Sequence, residues 1–319
     1  MKEFELIHQI QQALAVPDFP AAGVELGIGD DAAVLAIPGG QSLVAATDTL
    51  NAGTHFPADT PANDIAHKSL AVNLSDLAAM GAVPRWALLS LSLPEADPKW
   101  LQSFISGFKP LAREHGIVLV GGDTTSGPLS VCVTALGVVA QGRQLQRNGA
   151  QSGDLLVVSG TIGGAARVLE LLRSDRPVPD RQLLDRPKPR VKLGQSLVGS
   201  ASACIDISDG LLADLGHILR ASGCGARIEL AQLPYADILE DLDDTSRWNC
   251  QLSGGDDYEL LFTLPARYEP MIAGWQKQLD IDLSVIGQIE AQAGIRCITA
   301  QGETFDPRGA GFEHFGSDT

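Results

Sequence analysis

Short apolar runs and helical stripes alternate along the first half of the chain. Residues 33–37 and 42–46 are rich in Val, Leu and Ala and predict short strands. Thr60-Pro61 supplies an N-cap and a proline at the first helical position. Apolar periodicity carries that helix to Met80, and Gly81 stops it. Asp97-Pro98 repeats the start signal and Gly116 the stop. Runs at 117–120 and 130–140 predict buried strands, the second long enough for a central place in a sheet. Residues 141–153 are polar, carry Gly142, Gly149 and Gly153, and predict a linker.

The second half begins with a strand at 155–159 and a helix at 162–173. Four prolines, Pro177, Pro179, Pro187 and Pro189, predict loop before a helix that runs to about Gly199. A strand at 203–207, a helix at 210–221 closed by Gly223, and strands at 226–230 and 258–264 follow. A helix at 267–279 and a strand at 283–289 complete the series. The pattern predicts an α/β (α+β) chain with an N-terminal domain over 1–140, the linker 141–153 and a C-terminal domain over 154–319. A length of 319 residues agrees with about two domains.

Charge narrows the partners. Lys plus Arg is 23 against 39 for Asp plus Glu, a net −16 that disfavours nucleic acid and anionic membranes. The acids comprise 26 Asp and only 13 Glu. Asp is the poorer helix former, so many of these residues belong at caps, turns or sites. The five cysteines form no C-x-x-C pair, which points to a reducing compartment without a disulfide framework or zinc knuckle. No apolar run approaches the roughly 18 residues of a membrane span, and the N-terminus opens an amphipathic segment rather than a signal peptide. The expected location is the cytoplasm.

Several familiar chemistries are missing. The chain has no Gly-Lys dipeptide and hence no Walker A loop, no G-x-G-x-x-G, no H-E-x-x-H and no G-x-S-x-G. What it has is Asp beside Gly or a small residue, five times: Gly29-Asp30-Asp31-Ala32-Ala33, Thr47-Asp48, Gly121-Gly122-Asp123-Thr124, Asp206-Ile207-Ser208-Asp209-Gly210 and Gly254-Gly255-Asp256-Asp257-Tyr258. The second, third and fourth follow predicted strands; the first and last precede them. Asp76 adds a carboxylate at helical spacing from Ile65, Ser69 and Val72. Each stretch alone is also ordinary turn chemistry. Together at strand ends they would repel one another unless cations sat between them. Oxygen-only clusters select hard cations, and Mg²⁺ leaves positions for substrate phosphates, so an acidic chain can still bind a polyphosphate. Phosphoryl transfer is the reaction class this suggests.

These stretches, with Gly53-Thr54-His55-Phe56 and Asn73-Leu74-Ser75-Asp76-Leu77, resemble the thiamine-monophosphate kinase family in their order along nearly the whole chain. The resemblance implies the aminoimidazole ribonucleotide synthetase-like fold and a homodimer joined through the N-terminal sheet. It implies transfer of the γ-phosphoryl group of ATP to thiamine monophosphate, directly and in line, with several Mg²⁺ ions and no general base. By position, Asp30, Thr47, Asp48, Asp76, Asp123, Asp206 and Asp209 correspond to Mg²⁺ ligands. Gly122, Asp123, Arg147 and Ser208 correspond to ATP contacts, and His55, Asp256 and Phe312 to substrate contacts. Two positions depart from the family pattern. Ala46 replaces a hydroxyl before Thr47-Asp48, and Asp256 replaces a longer Glu. The alternatives are another ATP-dependent enzyme of the same fold and a non-catalytic Mg²⁺–nucleotide sensor.

Overall fold

The computed structural model describes residues 3–14 and 22–307. The chain divides into two compact units, one of residues up to 77 with 82–144, the other of 78–81 with 145 onward. The first contains α1 (Glu3–Leu14), β1 (Val24–Leu26), β2 (Val34–Leu35), β3 (Gln41–Asn51), most of α2 (Ala62–Ala79), β4 (Val83–Leu93), α3 (Pro98–Glu114), β5 (Val118–Ser126) and β6 (Ser130–Ala140). A four-stranded sheet runs in the order β3-β6-β4-β5; only β4 and β5 are parallel, as expected of strands joined by a helical crossover. β3 is an edge strand, paired with β6 from Gln41↔Ala140 to Asn51↔Ser130.

Thr47-Asp48 and Gly121–Thr124 were expected after strands; they lie inside β3 and β5. Both are edge strands, where polar residues and glycine are tolerated. In β5 the register slips by one between Ala87 and Leu88 of β4, so a bulge precedes Gly121-Gly122. Gly122 has φ +150°, and a Cβ there would lie 1.8 Å from the Leu89 carbonyl oxygen.

Almost every residue of α2 from Ile65 to Ala79 is buried, including Lys68, Ser69, Asn73 and Ser75. A helix buried all round shows little amphipathic contrast, consistent with its central place. α3 packs on it at Gly107, where a Cβ would come 1.8 Å from the Asn63 carbonyl oxygen. The expected caps of α3 are present: Asp97 accepts from the Lys99 N–H at 2.9 Å, and Gly116 turns the chain at φ +67°. On one face of the sheet, Trp86, Val118, Val120 and Val138 form a core under Val24 and Leu35.

The second unit contains β7 (Leu155–Ser159), α4 (Gly164–Arg173), α5 (Gln182–Asp185), α6 (Val191–Leu197), β8 (Ala203–Asp206), α7 (Leu211–Ser222), β9 (Gly225–Glu229), α8 (Asp244–Ser253), β10 (Leu260–Leu264), α9 (Met271–Leu279), β11 (Leu283–Glu290), β12 (Gly294–Ile298) and β13 (Thr304–Phe305). Its seven-stranded sheet has the order β13-β12-β9-β11-β7-β10-β8. β8 and β10 are wholly buried, and so is β7 apart from its first residue. Ile205, Leu215, Ile218, Leu261 and Ile286 belong to the core around them. β8 therefore delivers Asp206 from a rigid strand to the loop that starts α7.

Three expected boundaries shift for local reasons. The helix expected from 162 starts at Gly164, because Gly163 has φ +85°. The strand expected from 258 starts at Leu260, because Tyr258 has φ +51°. The helix expected from 267 starts at Met271, after Pro270. β4 is a strand that the sequence reading did not place. Pro84 is accommodated by a register shift between it and Trp86.

Candidate active site

Side chains alternate across a strand, so neighbours on β3 face opposite ways. Asp48 faces α2, where its carboxyl is hydrogen-bonded to that of Asp76 and feels the field of His55. Burial holds Asp48 above the usual carboxylate range; the Asp76 contact pulls it back, and so does His55 when its ring is protonated. Two carboxyl groups in contact need either a shared proton, which makes the hydrogen bond, or a cation in its place. Asp48, Asp76 and His55, assigned from distant parts of the sequence, are thus brought together.

The turn after β3 aims His55. Gly53 takes φ +81°, and the Gly53 N–H reaches the Phe56 carbonyl at 2.8 Å. The Asn51 N–H donates to His55 Nδ1 at 3.0 Å, which leaves the neutral ring's proton on Nε2. Lys68, only 1% exposed, donates from Nζ to the His55 carbonyl at 3.1 Å. Lys68 was not assigned a role from sequence.

Thr47 lies on the other face. Its hydroxyl meets Thr134 Oγ1 at 2.9 Å and donates to the Val133 carbonyl at 3.2 Å. Thr134 lines a groove of about 770 Å³ that also takes in Asp30, Gly122 and Asp123. Asp30 and Asp123 are each held by the next residue's N–H, from Asp31 at 2.9 Å and Thr124 at 2.8 Å. The Ala46 departure falls two residues from Asp48, so the missing hydroxyl belongs to the Asp48–Asp76 face and not to the groove.

In the second unit, Asp206 ends β8 with 5% exposure. The N–H groups of Ser208, Asp209 and Gly210 converge on Asp214 Oδ2 at 3.0, 3.1 and 3.2 Å. Burial, Asp206 and Asp209 push Asp214 up to about 7, against the pull of these donors. Asp214 was missed from sequence, although an acid in the first turn of a helix is a recognised cap signal. The 206–210 loop packs against the 254–258 loop. The Asp256 N–H donates to the Ser208 carbonyl and the Tyr258 N–H to the Ile207 carbonyl, both at 2.8 Å. A Cβ on Gly255 would stand 2.5 Å from the Ser208 carbonyl oxygen.

Asp256 and Tyr258 are left-handed at φ +70° and +51°. Between them, half-buried Asp257 accepts from the Gly163 N–H at 2.8 Å at the start of α4. Burial raises its pKa well above the usual range. Next in line, Glu259 accepts from Arg190 Nε at 2.6 Å and Ser159 Oγ at 2.5 Å. Arg147 is exposed, and Ser222 Oγ donates to its carbonyl at 3.4 Å. His217 of α7 feels both Arg147 and Asp209, though burial contributes most to the lowering of its pKa and Arg220 comes next. The Arg147 main chain thus stands at the C-terminal end of α7, while the Asp209 loop precedes its start. Phe312 lies outside the described residues.

Among the described residues, no three His, Cys, Asp or Glu side chains converge tightly enough to hold a metal unaided. The donors come in smaller sets that are entirely oxygen. That fits Mg²⁺, which takes one or two carboxylates and fills its octahedron with water and phosphate.

Both units match known sequence families. Residues 29–139 match the AIR synthase related protein N-terminal domain and residues 151–299 its C-terminal domain, which defines an AIR synthase related protein. The chain is 45% identical to the thiamine-monophosphate kinase of Escherichia coli (strain K12), over 92% of each chain. The crystal structure of thiamine-monophosphate kinase from Stenotrophomonas maltophilia K279a superposes with a TM-score of 0.86 at 45% identity, covering 96% of this chain and 98% of that one. AaThiL complexed with AMPPCP and TMP superposes at 0.74 with 31% identity, covering 98% and 97%. The chain belongs to the thiamine-monophosphate kinase family.

The Arg190–Glu259 pair yields a stability prediction. Arg190→Met strands a carboxylate that is 6% exposed, and is expected to cost about 3–5 kcal/mol in urea denaturation. A loss below about 1 kcal/mol would mean that Ser159 alone satisfies Glu259.

Proposed function

We propose that the chain catalyses ATP-dependent phosphorylation of thiamine monophosphate to thiamine diphosphate, by direct in-line transfer with Mg²⁺. The observation that carries this is the meeting of Asp48, Asp76 and His55 in a chain that matches AaThiL, complexed with AMPPCP and TMP, over nearly its whole length. The acceptor is itself a phosphate, ionised near neutral pH, so no side chain need remove a proton. The obstacle is anion meeting anion.

Asp30, Thr47, Asp48, Asp76, Asp123, Asp206 and Asp209 are the residues that would hold Mg²⁺. Bound Mg²⁺ supplies charge neutralisation between donor and acceptor phosphates. Because Thr47 and Asp48 face opposite ways, Thr47 would reach an ion held by Asp48 through its main-chain carbonyl and not its hydroxyl. Gly122, Asp123, Ser208 and Arg147 are assigned to ATP. The guanidinium of Arg147 suits a phosphate because its planar fork binds two oxygens at once. His55 with its Nε2–H, Asp256 and Phe312 are assigned to the thiamine substrate. Residues 1–140 would form the ATP- and Mg²⁺-binding domain and 154–319 its partner domain, joined at 141–153.

A homodimer through the N-terminal sheet is part of this reading. Leu43 and Val83, 44% and 42% exposed, both stand in register with Val138. Apolar side chains on an open sheet are what a second copy would cover. Cytoplasmic location accords with the absence, among the described residues, of a helix long and apolar enough to cross a membrane.

Three outcomes are expected. With ATP, Mg²⁺ and thiamine monophosphate, mass spectrometry should find thiamine diphosphate, which EDTA abolishes; product from free thiamine instead would redirect the acceptor. Asp48→Asn should lower kcat at least about 10²-fold while circular dichroism is unchanged. A near-normal kcat would remove Asp48 from the metal set. His55→Ala should raise KM for the thiamine substrate more than it lowers kcat, and an unchanged KM would leave His55 a purely structural role in its turn.

A further inference from the structure

We infer that Asp214 is a positioning residue: it sets the backbone of the 208–210 loop so that Ser208 and Asp209 offer side-chain oxygens, and not N–H groups, to the nucleotide and its metal. This rests on the reading of Asp209 as a metal ligand and Ser208 as a nucleotide contact. Three successive N–H groups pointing at one spot ordinarily make a concavity for an external anion such as phosphate. Here that spot holds a single oxygen, Asp214 Oδ2, at 3.0, 3.1 and 3.2 Å, and the residue is 2% exposed. The anion position is taken by the chain itself. A phosphate arriving at this loop finds no free N–H among these three and meets Asp209 through a cation.

The same contact extends to the substrate loop. The Ser208 carbonyl, fixed once its own N–H is held, accepts from the Asp256 N–H at 2.8 Å. The Gly255 position leaves no room for a side chain between the two loops. Asp214 therefore determines where Asp209 and Asp256 stand with respect to one another. Plain helix capping would stabilise α7 without this consequence. Asp243 provides the comparison, since it caps α8 by accepting from the Ser246 N–H at 2.9 Å and has no assigned part in binding.

The test is equilibrium binding of AMPPCP with Mg²⁺ by isothermal titration calorimetry, with urea denaturation of the same full-length proteins. Asp214→Ala is expected to weaken nucleotide binding about 10–100-fold and to raise the Mg²⁺ concentration for half-maximal binding in parallel. Asp214→Asn, which keeps an oxygen acceptor, should fall between it and the wild type. Asp243→Ala should lose stability and bind as the wild type does. Wild-type affinity in Asp214→Ala, with Asp209→Asn weakened, overturns the positioning role while leaving the metal assignment standing. Wild-type affinity in Asp209→Asn overturns the metal assignment of the loop and this inference with it. If Asp214→Ala does not fold, Asp214→Asn decides: weakened binding supports the inference and wild-type binding overturns it.

Discussion

A carboxylate removed from water must share its charge with something, and both units are organised around that requirement. In the second unit the chain meets it internally. Asp214 takes three N–H groups, Asp257 takes one from the start of α4, and Glu259 takes Arg190 and Ser159. In the first unit Asp48 is turned toward another acid, Asp76, with His55 alongside. The two arrangements differ in kind: in one the acids are met by N–H groups or a guanidinium, in the other an acid is met by a second acid.

Much of the frame was legible in the sequence. Strands 130–140 and 155–159 fall where the apolar runs put them, and the ends of α3 and α7 follow from Asp97, Pro98 and Gly223. What was not legible depended on pairing. β3 extends past its apolar segment because β6 pairs with it along its full length, and this places Thr47 and Asp48 inside a strand. β4 was not placed, and it pairs on both sides, with a shift of register beside Pro84 on the β6 side. Neither fact is local.

The site was legible as residue types and not as an arrangement. The Asp-Gly stretches drew attention to oxygen-rich turns, and the resemblance attached expected roles to them. The sequence could not tell that adjacent Thr47 and Asp48 serve opposite faces, or that Ala46 depletes only one of them. Nor could it distinguish Asp214 from any other acid near a helix start, or predict that Lys68 would be buried against the His55 turn. Those distinctions reside in hydrogen bonds that span the fold.

The run from Gly255 to Glu259 bears on how this region can change over evolutionary time. Its members are held one by one: Gly255 and the Asp256 N–H against the Ser208 carbonyl, Asp257 on the Gly163 N–H, the Tyr258 N–H on the Ile207 carbonyl, and Glu259 on Arg190. Adding or deleting one residue would move every later side chain into its neighbour's place, putting a tyrosine where a buried carboxylate belongs. An acid here can be exchanged for another of similar reach, but the length of the segment is fixed by its contacts. A change of length here would break these contacts together, so the run serves as a fixed ruler against which the neighbouring loops are aligned.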